Sequence, residues 1–421
     1  MTRTRRLTLP PTAAYALVAA VIGLALFASA TPTPLYDIYR ADWHFSTFVL
    51  TLVYAVYPIG VLAALLTVGR ISDELGRRPV IALALGGLIV AMVLFTVADS
   101  VGWLFAARGL QGITTGLALG AAGAALLDLH PRQDGQKAGL LNGVVSAGSL
   151  GIGAIVAAVL AQYAPDPLVT PFLVLLGLLV LVLAGALAMP EPVIRSSRFR
   201  LTISPPRVPS AIRGPFALAS LGVLSSWSVG GVYLALGPAL AAQLLGTSNL
   251  LAGGAAVLAL TLPGALAQVA ANRVDPGRAA AAGSFILAVG MGLTAAAVSS
   301  GSAVLFLGAT AVTGVGFGMA FLGALRSLTA VVPDRQRAEV MSAFYVVCYG
   351  SLAVPAIAAG VVVSDLGLET TFRIFTAAVG VLALGVSVAA WRRIRAPLAV
   401  PSAAGSARSR SCASRVIREP S

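Results

Sequence analysis

Arg108 is the residue whose placement demands most explanation. It stands inside an apolar run, followed by Gln111 and Gly112 within little more than one helical turn. A guanidinium placed within a membrane-spanning run costs roughly 2.5 kcal/mol or more, so it needs a polar partner, a water-filled cavity or a route to the interface. Gln111 and Gly112 predict a polar, close-packed stripe, which favours a functional position over snorkelling. A second group, Gly69, Asp73, Gly76, Arg77 and Arg78, sits between two apolar runs. There an acid faces a basic pair across a few residues, an arrangement that can make and break ion pairs. Asp128 ends a later run on the same side. Acids are scarce elsewhere: Asp37 follows Pro32 and Pro34, and no carboxylate falls at the centre of any apolar run. The two histidines, His44 and His130, and the two cysteines, Cys348 and Cys412, show no metal-ligand spacing and no disulfide framework. No nucleophile–base pair or phosphate-cradling loop is present, so the expectation is a protein without enzymatic activity, metal or cofactor.

These residues must be held by membrane helices. Hydrophobic residues make up 58% of the 421-residue chain and charged residues 10%, with a mean hydropathy of +0.93. A soluble domain carries about 25% charged residues, so lipid is the expected solvent. Twelve apolar runs approach the roughly 20 residues that cross a bilayer: 13–30, 48–68, 80–97, 103–127, 140–160 and 168–189, then 216–236, 250–271, 279–298, 303–325, 340–363 and 372–391. Arg3, Arg5 and Arg6 before the first run, with Ala28-Ser29-Ala30 behind it, imitate a cleavable leader. The run is read as a retained first helix, because its loss would leave eleven spans.

The net charge of +13 would suggest nucleic acid on a soluble protein. Here the charges lie between apolar runs and set orientation instead. With the N-terminus inside, the cytoplasmic segments hold 24 of the 28 basic residues, which places both termini in the cytoplasm. The arginine bias, with one lysine (Lys137), and the abundance of Ala and Gly point to a bacterial source.

The chain divides into a bundle at 1–189, a basic, proline-rich linker at 190–214, a second bundle at 215–391 and a basic tail at 392–421 whose composition predicts disorder. Linker and tail could rest on anionic headgroups. Under a shift of 202 residues Gly112 and Gly116 meet Gly314 and Gly318, Pro131 meets Pro333, Asp73 meets Asp275, and Gly148-Ser149-Leu150 meets Gly350-Ser351-Leu352. Two six-helix halves that both start inside are parallel repeats, an all-α architecture with a site expected at their interface.

The segment from Gly69 to Pro79 resembles the G-x-x-x-D-x-x-G-R-[RK] signature of the major facilitator superfamily. Arg108 to Gly112 resembles the R-x-x-Q-G motif of its proton-coupled members, and Met189-Pro190-Glu191 is similar to the end of the sixth helix in many drug exporters. The resemblance covers nearly the whole chain and is nearest to the twelve-helix drug:proton antiporters. It departs from them in two places. The helix-five antiporter pattern, G-x-x-x-G-P-x-x-G-G, has Ser149 in place of proline, and Asp37 comes after the prolines rather than before them.

The resemblance implies a conformational latch at Gly69, Asp73, Gly76, Arg77, Arg78 and Asp128, holding an outward-facing state. It implies proton coupling at Arg108, Gln111 and Gly112, with Asp37 as a candidate acid, and a proton gradient as the energy source. Candidate cavity residues are Tyr54, Tyr57, Asn142, Trp227, Tyr233, Tyr345 and Tyr349, aromatic or neutral groups suited to an amphipathic ligand. The expected protein is thus an inner-membrane exporter of drug-like or secondary-metabolite molecules, in contact with lipid and monomeric. A transporter of an amino acid or sugar is the alternative. A membrane sensor or scaffold is disfavoured, since no sizeable soluble domain is present.

Overall fold

The computed structural model describes residues 9–68, 71–192 and 206–395. Gly69, the arginines of 1–8, most of the linker (193–205) and the tail beyond 395 lie outside the described residues. The first part of the chain forms α1 (Pro11–Ala30), α2 (Tyr36–Trp43), α3 (Thr47–Val68), α4 (Ile71–Leu75), α5 (Arg77–Thr96), α6 (Val101–Asp128), α7 (Gly135–Tyr163) and α8 (Thr170–Ala188). The second forms α9 (Arg213–Leu245), α10 (Leu251–Ala271), α11 (Pro276–Ser300), α12 (Ala303–Thr329), α13 (Arg337–Leu366) and α14 (Leu368–Arg395). Among the described residues twelve helices are long and apolar enough to cross a membrane. The two short ones, α2 and α4, occupy stretches expected to be loops.

Several helices run past their apolar runs because polar residues cap and extend them. Asp134 accepts from the amides of Gln136 and Lys137 at the start of α7, and Asp275 accepts from Arg278 N at the start of α11. α9 extends to Leu245, nine residues beyond the expected end, and stops where Gly246 turns left-handed at φ 59°. Large apolar side chains such as Leu83, Leu181, Leu266, Val354 and Val381 are exposed, as helices surrounded by lipid require.

The 202-residue repeat reappears as packing. A Cβ on Gly112 of α6 would stand 2.3 Å from the Tyr57 carbonyl oxygen of α3, and one on Gly314 of α12 would stand 2.1 Å from the Leu260 carbonyl oxygen of α10. Gly116 and Gly318 make the matching approaches to Val61 and Gly264, to carbonyl oxygens in both cases. The aligned glycines therefore do the same thing in each half: they let two helix backbones touch.

The halves meet along two seams, α3 on α13 and α7 on α10. The α7–α10 seam is hydrogen-bonded near both ends. Gln136 Nε2 donates to Asn272 Oδ1 at 3.2 Å at the end rich in basic residues, here the basic end, and Leu250 N donates to Gln162 Oε1 at 3.0 Å at the far end. At the far end the short turn Thr33–Leu35, which follows α1, also packs on α9 and α10.

Candidate functional site

Prolines create the anchor for Arg108. Residues 31 and 32 keep helical dihedrals, so an amide at position 32 would point at the Ala28 carbonyl. Pro32 has no such amide. Gln111 Nε2 from α6 reaches that carbonyl at 2.8 Å instead. Arg108 Nη1 donates to the neighbouring Ser29 carbonyl at 2.9 Å and to Gln111 Oε1 at 2.7 Å. The broken end of α1 is thus an acceptor site for two side chains of α6. Gly112, one residue on, allows α6 to sit against α3 closely enough for both to face it.

Arg108 is fully buried, so it does not snorkel. Its guanidinium carbon lies 4.7 Å from the Tyr57 ring centroid and 5.9 Å from those of Tyr36 and Tyr54. Three π faces and two oxygens replace part of the lost hydration. Among the described residues Arg108 has no carboxylate within ion-pairing distance. Arg108 Nε and Thr33 Oγ1 are buried without a partner, while the Tyr36 hydroxyl lies close to the Arg108 guanidinium and the Thr115 hydroxyl close to that of Tyr57. This is a cationic centre with unused hydrogen-bonding capacity, held in neutral surroundings.

Asp37 is not the counter-ion. It lies on α2 and pairs with Arg40 at 3.1 Å, while Arg40 also donates to Thr47 at 2.8 Å. Both line a cavity of about 400 Å³ at the far end, between the halves, with Thr33 and Tyr36 beside them and Leu236, Pro238 and Gln243 opposite. Tyr36 connects the two places: its residue lines this cavity and its ring lies near Arg108.

From Tyr57 an aromatic group continues into the second half. Tyr57 and Tyr349 belong to one buried cluster, with Trp227 packed against it. The Trp227 ring lies 5.4 Å from Tyr349, edge-on, and 5.2 Å from Phe321. Trp227 Nε1 is buried without an acceptor. Tyr345, one turn before Tyr349 on α13, remains 37% exposed. Tyr54, Tyr57, Trp227, Tyr345 and Tyr349 therefore stand around the joint between the halves.

Two of the expected cavity residues are elsewhere. Tyr233 is packed inside the second half, where its hydroxyl is 3.1 Å from Thr294 Oγ1 and its ring stacks on Phe306 and meets Phe372 edge-on. Its side of α9 faces α11 and α12 rather than the joint. Asn142 lies on α7 beside Gly123 of α6 and accepts from Ser146 Oγ at 3.2 Å, apart from the aromatic group.

The charged group forms a compact cluster at the basic end. Arg77 bonds Asp73 at 2.5 Å, Asp128 at 2.9 Å and Ser72 Oγ at 2.6 Å. Gly76 takes φ 97°, which turns the chain sharply into α5. The exposed amides of that helix start are held by Glu191, whose oxygens accept from Arg77 N at 2.8 Å and Arg78 N at 3.1 Å. A Cβ at Gly76 would stand 2.6 Å from Glu191 Oε2. Arg78 contributes its amide to this arrangement. Asp73, Ser72 and Asp128 belong to the first half, and Glu191 stands at the start of the linker. Glu191 is visible in the sequence only as the end of a motif; the signal for its role is an acid just beyond the sixth span, able to fold back onto the helix N-terminus.

The sequence model of the family described as Major Facilitator Superfamily matches residues 17–278. Multidrug resistance protein MdtL of Escherichia coli (strain UTI89 / UPEC) is 34% identical over 105 residues, 25% of this chain and 27% of that protein. A probable triacylglyceride transporter of Mycobacterium bovis (strain BCG / Pasteur 1173P2) is 30% identical over 121 residues, 28% of this chain and 21% of that protein. The chain thus matches only about a quarter of the length of these curated relatives. A crystal structure of the human organic anion transporter MFSD10 (TETRAN) superposes with a TM-score of 0.64 at 18% identity, covering 90% of this chain and 100% of that one, a likeness of fold.

Proposed function

The chain belongs to the major facilitator superfamily, and on that premise we propose that it exports amphipathic, drug-like or secondary-metabolite molecules in exchange for protons. The basic end faces the cytoplasm of a bacterial inner membrane in this reading, the chain acts as a monomer, and the proton gradient supplies the energy. The observation that carries the proposal is Arg108, buried with no carboxylate beside it among the described residues and tied to the proline-broken end of α1. A movement of α1 relative to α6 would change the hydrogen bonds of that guanidinium. A proton or an anionic group arriving nearby would bias the same movement. The aromatic group from Tyr57 to Trp227 offers an apolar, polarisable surface shared by both halves, as a site between rocking halves requires. The partial likeness to a multidrug protein and to a lipid transporter supports apolar cargo over sugar. In this proposal the charge cluster around Arg77 serves as a conformational latch that holds the outward-facing state and breaks as the halves rock.

The test uses purified protein in proteoliposomes containing a pH-sensitive dye, with a panel of lipophilic cations, lipophilic anions and neutral amphipaths as cargo. Arg108→Ala is expected to reduce cargo-driven proton movement at least tenfold while the protein still elutes as a folded species. Full transport by Arg108→Ala in the absence of a pH gradient would overturn the coupling reading.

A further inference from the structure

A second cavity lies away from the joint, at the basic end of the second half. It has a volume of about 210 Å³ between α9, α11, α12 and α14. Its wall is built from small and apolar residues, among them Ala219, Gly222, Ala280 and Ala390. Two further lining residues, Ser284 and Ser327, have buried hydroxyls with no partner in the protein. Ser284 is 1% exposed. A buried hydroxyl left unpaired is unfavourable by roughly 1–3 kcal/mol, so each marks a place where a ligand acceptor would be gained. Arg393 also lines the cavity, with Nη2 donating to the Gly214 carbonyl at 3.0 Å.

The repeat sharpens this observation. Under the 202-residue shift Glu191 meets Arg393. In the first half Glu191 binds the amides at the start of α5 and ties the segment after α8 to it. In the second half Asp275 caps α11 by itself, and the position of Glu191 carries the opposite charge beside a cavity. Arg213, Arg278, Arg392 and Arg395 stand in the first or last turns of the same helices. A basic mouth, an apolar interior and unpaired hydroxyl donors along the wall together describe a receptor for an anionic amphipath. At 210 Å³ the space is below the roughly 300–1,000 Å³ of drug-sized pockets, and it suits a narrow chain better.

We propose that this crevice binds one anionic phospholipid of the surrounding membrane, with an acyl chain between α9, α11, α12 and α14, its phosphate on Arg393 and an ester carbonyl accepting from Ser327. The site is separate from the Arg108 centre and does not depend on the transport reading.

Native mass spectrometry of the full-length protein, released from mixed phosphatidylglycerol and phosphatidylcholine at equal mole fraction, tests the proposal. The expected result is retention of one phosphatidylglycerol in several-fold preference to phosphatidylcholine. Arg393→Gln should lower that preference about fivefold, the scale of one basic residue at an anionic surface. Ala390→Phe, which fills the crevice, should remove retention of both lipids. Arg335→Gln, an exposed basic residue at the same end that does not line the crevice, should change nothing. Millimolar inorganic phosphate should not displace the lipid. No lipid preference in the unmodified protein, equal losses in the Arg393 and Arg335 variants, or displacement by phosphate alone would each overturn it.

Discussion

Ala28 presents a carbonyl that its own helix cannot satisfy, because Pro32 stands where the donor should be. Gln111 supplies the missing donor at 2.8 Å. Two consequences follow for stability. Gln111→Ala removes both this donor and the acceptor of Arg108 Nη1, and should lower it by about 1–3 kcal/mol, the scale of an orphaned buried group or of a hydrogen bond to a charge. Pro32→Ala restores an amide at position 32 and should recover part of that loss, so the double variant should be more stable than the sum of the two single effects. Thermal unfolding of the four proteins in one detergent measures this coupling; strict additivity would mean that the carbonyl is not what Gln111 serves. Arg108, Gln111 and Gly112 are legible in the sequence as a polar stripe in an apolar run. Their acceptors are not, since Ala28 and Ser29 are unremarkable as residue types and become a site only once α6 is laid against the end of α1. Tyr233 shows the opposite limit: a tyrosine in a span reads as a cavity residue, yet its hydroxyl is taken by Thr294.

Helix contacts explain why some glycines are required and others are not. At Gly112 a methyl group would meet the Tyr57 backbone oxygen at 2.3 Å, and at Gly314 the Leu260 oxygen at 2.1 Å. Neither neighbour can rotate away, because each is backbone inside a helix. Gly86 on α5 has nothing within 4 Å of the same position. Gly112→Ala and Gly314→Ala should therefore each separate a helix pair and cut the folded yield severely, by an amount near 1–3 kcal/mol of overpacking or more. Gly86→Ala should express as the parent does. Fluorescence-detected size-exclusion chromatography of tagged variants reads this directly, and equal tolerance at all three positions would rule out the close approach. The internal repeat alone marks Gly112 and Gly314 as a matched pair, since they coincide under the 202-residue shift. It does not reveal α2 or α4, because eight- and five-residue helices carry too few residues for a hydrophobic period to stand out. Nor does it reveal Glu191 closing onto α5, a contact between residues more than a hundred positions apart.

At the scale of the whole molecule, two halves joined along α7–α10 can rock only if one end of that seam opens at a time. Both ends are closed by hydrogen bonds here, Gln136 to Asn272 at the basic end and Gln162 to Leu250 N at the other. The Thr33–Leu35 turn adds further packing on α9 and α10 at the far end. Among the described residues Arg77 meets Asp73, Asp128 and Ser72 of the first half and Glu191 at the start of the linker, while the hydrogen bonds that close the α7–α10 seam come from Gln136 and Gln162. Placing cysteines at 136 and 272, or at 162 and 250, in a chain with Cys348 and Cys412 replaced by serine, makes each end separately lockable. A short bifunctional thiol reagent should link both pairs in the resting protein. Linking either pair should slow cargo movement at least tenfold, and reduction should restore it. The two locks should also differ: closing the basic end should leave the far-end cysteines free to separate, and the reverse. Orientation enters through the unmodified tail. If the basic end is cytoplasmic, Cys412 should react with a membrane-impermeant maleimide in inside-out vesicles and stay unlabelled in right-side-out ones. Labelling in the reverse pattern would invert the topology, while undiminished transport with both seam ends linked would exclude rocking about α7–α10 as the motion that carries cargo.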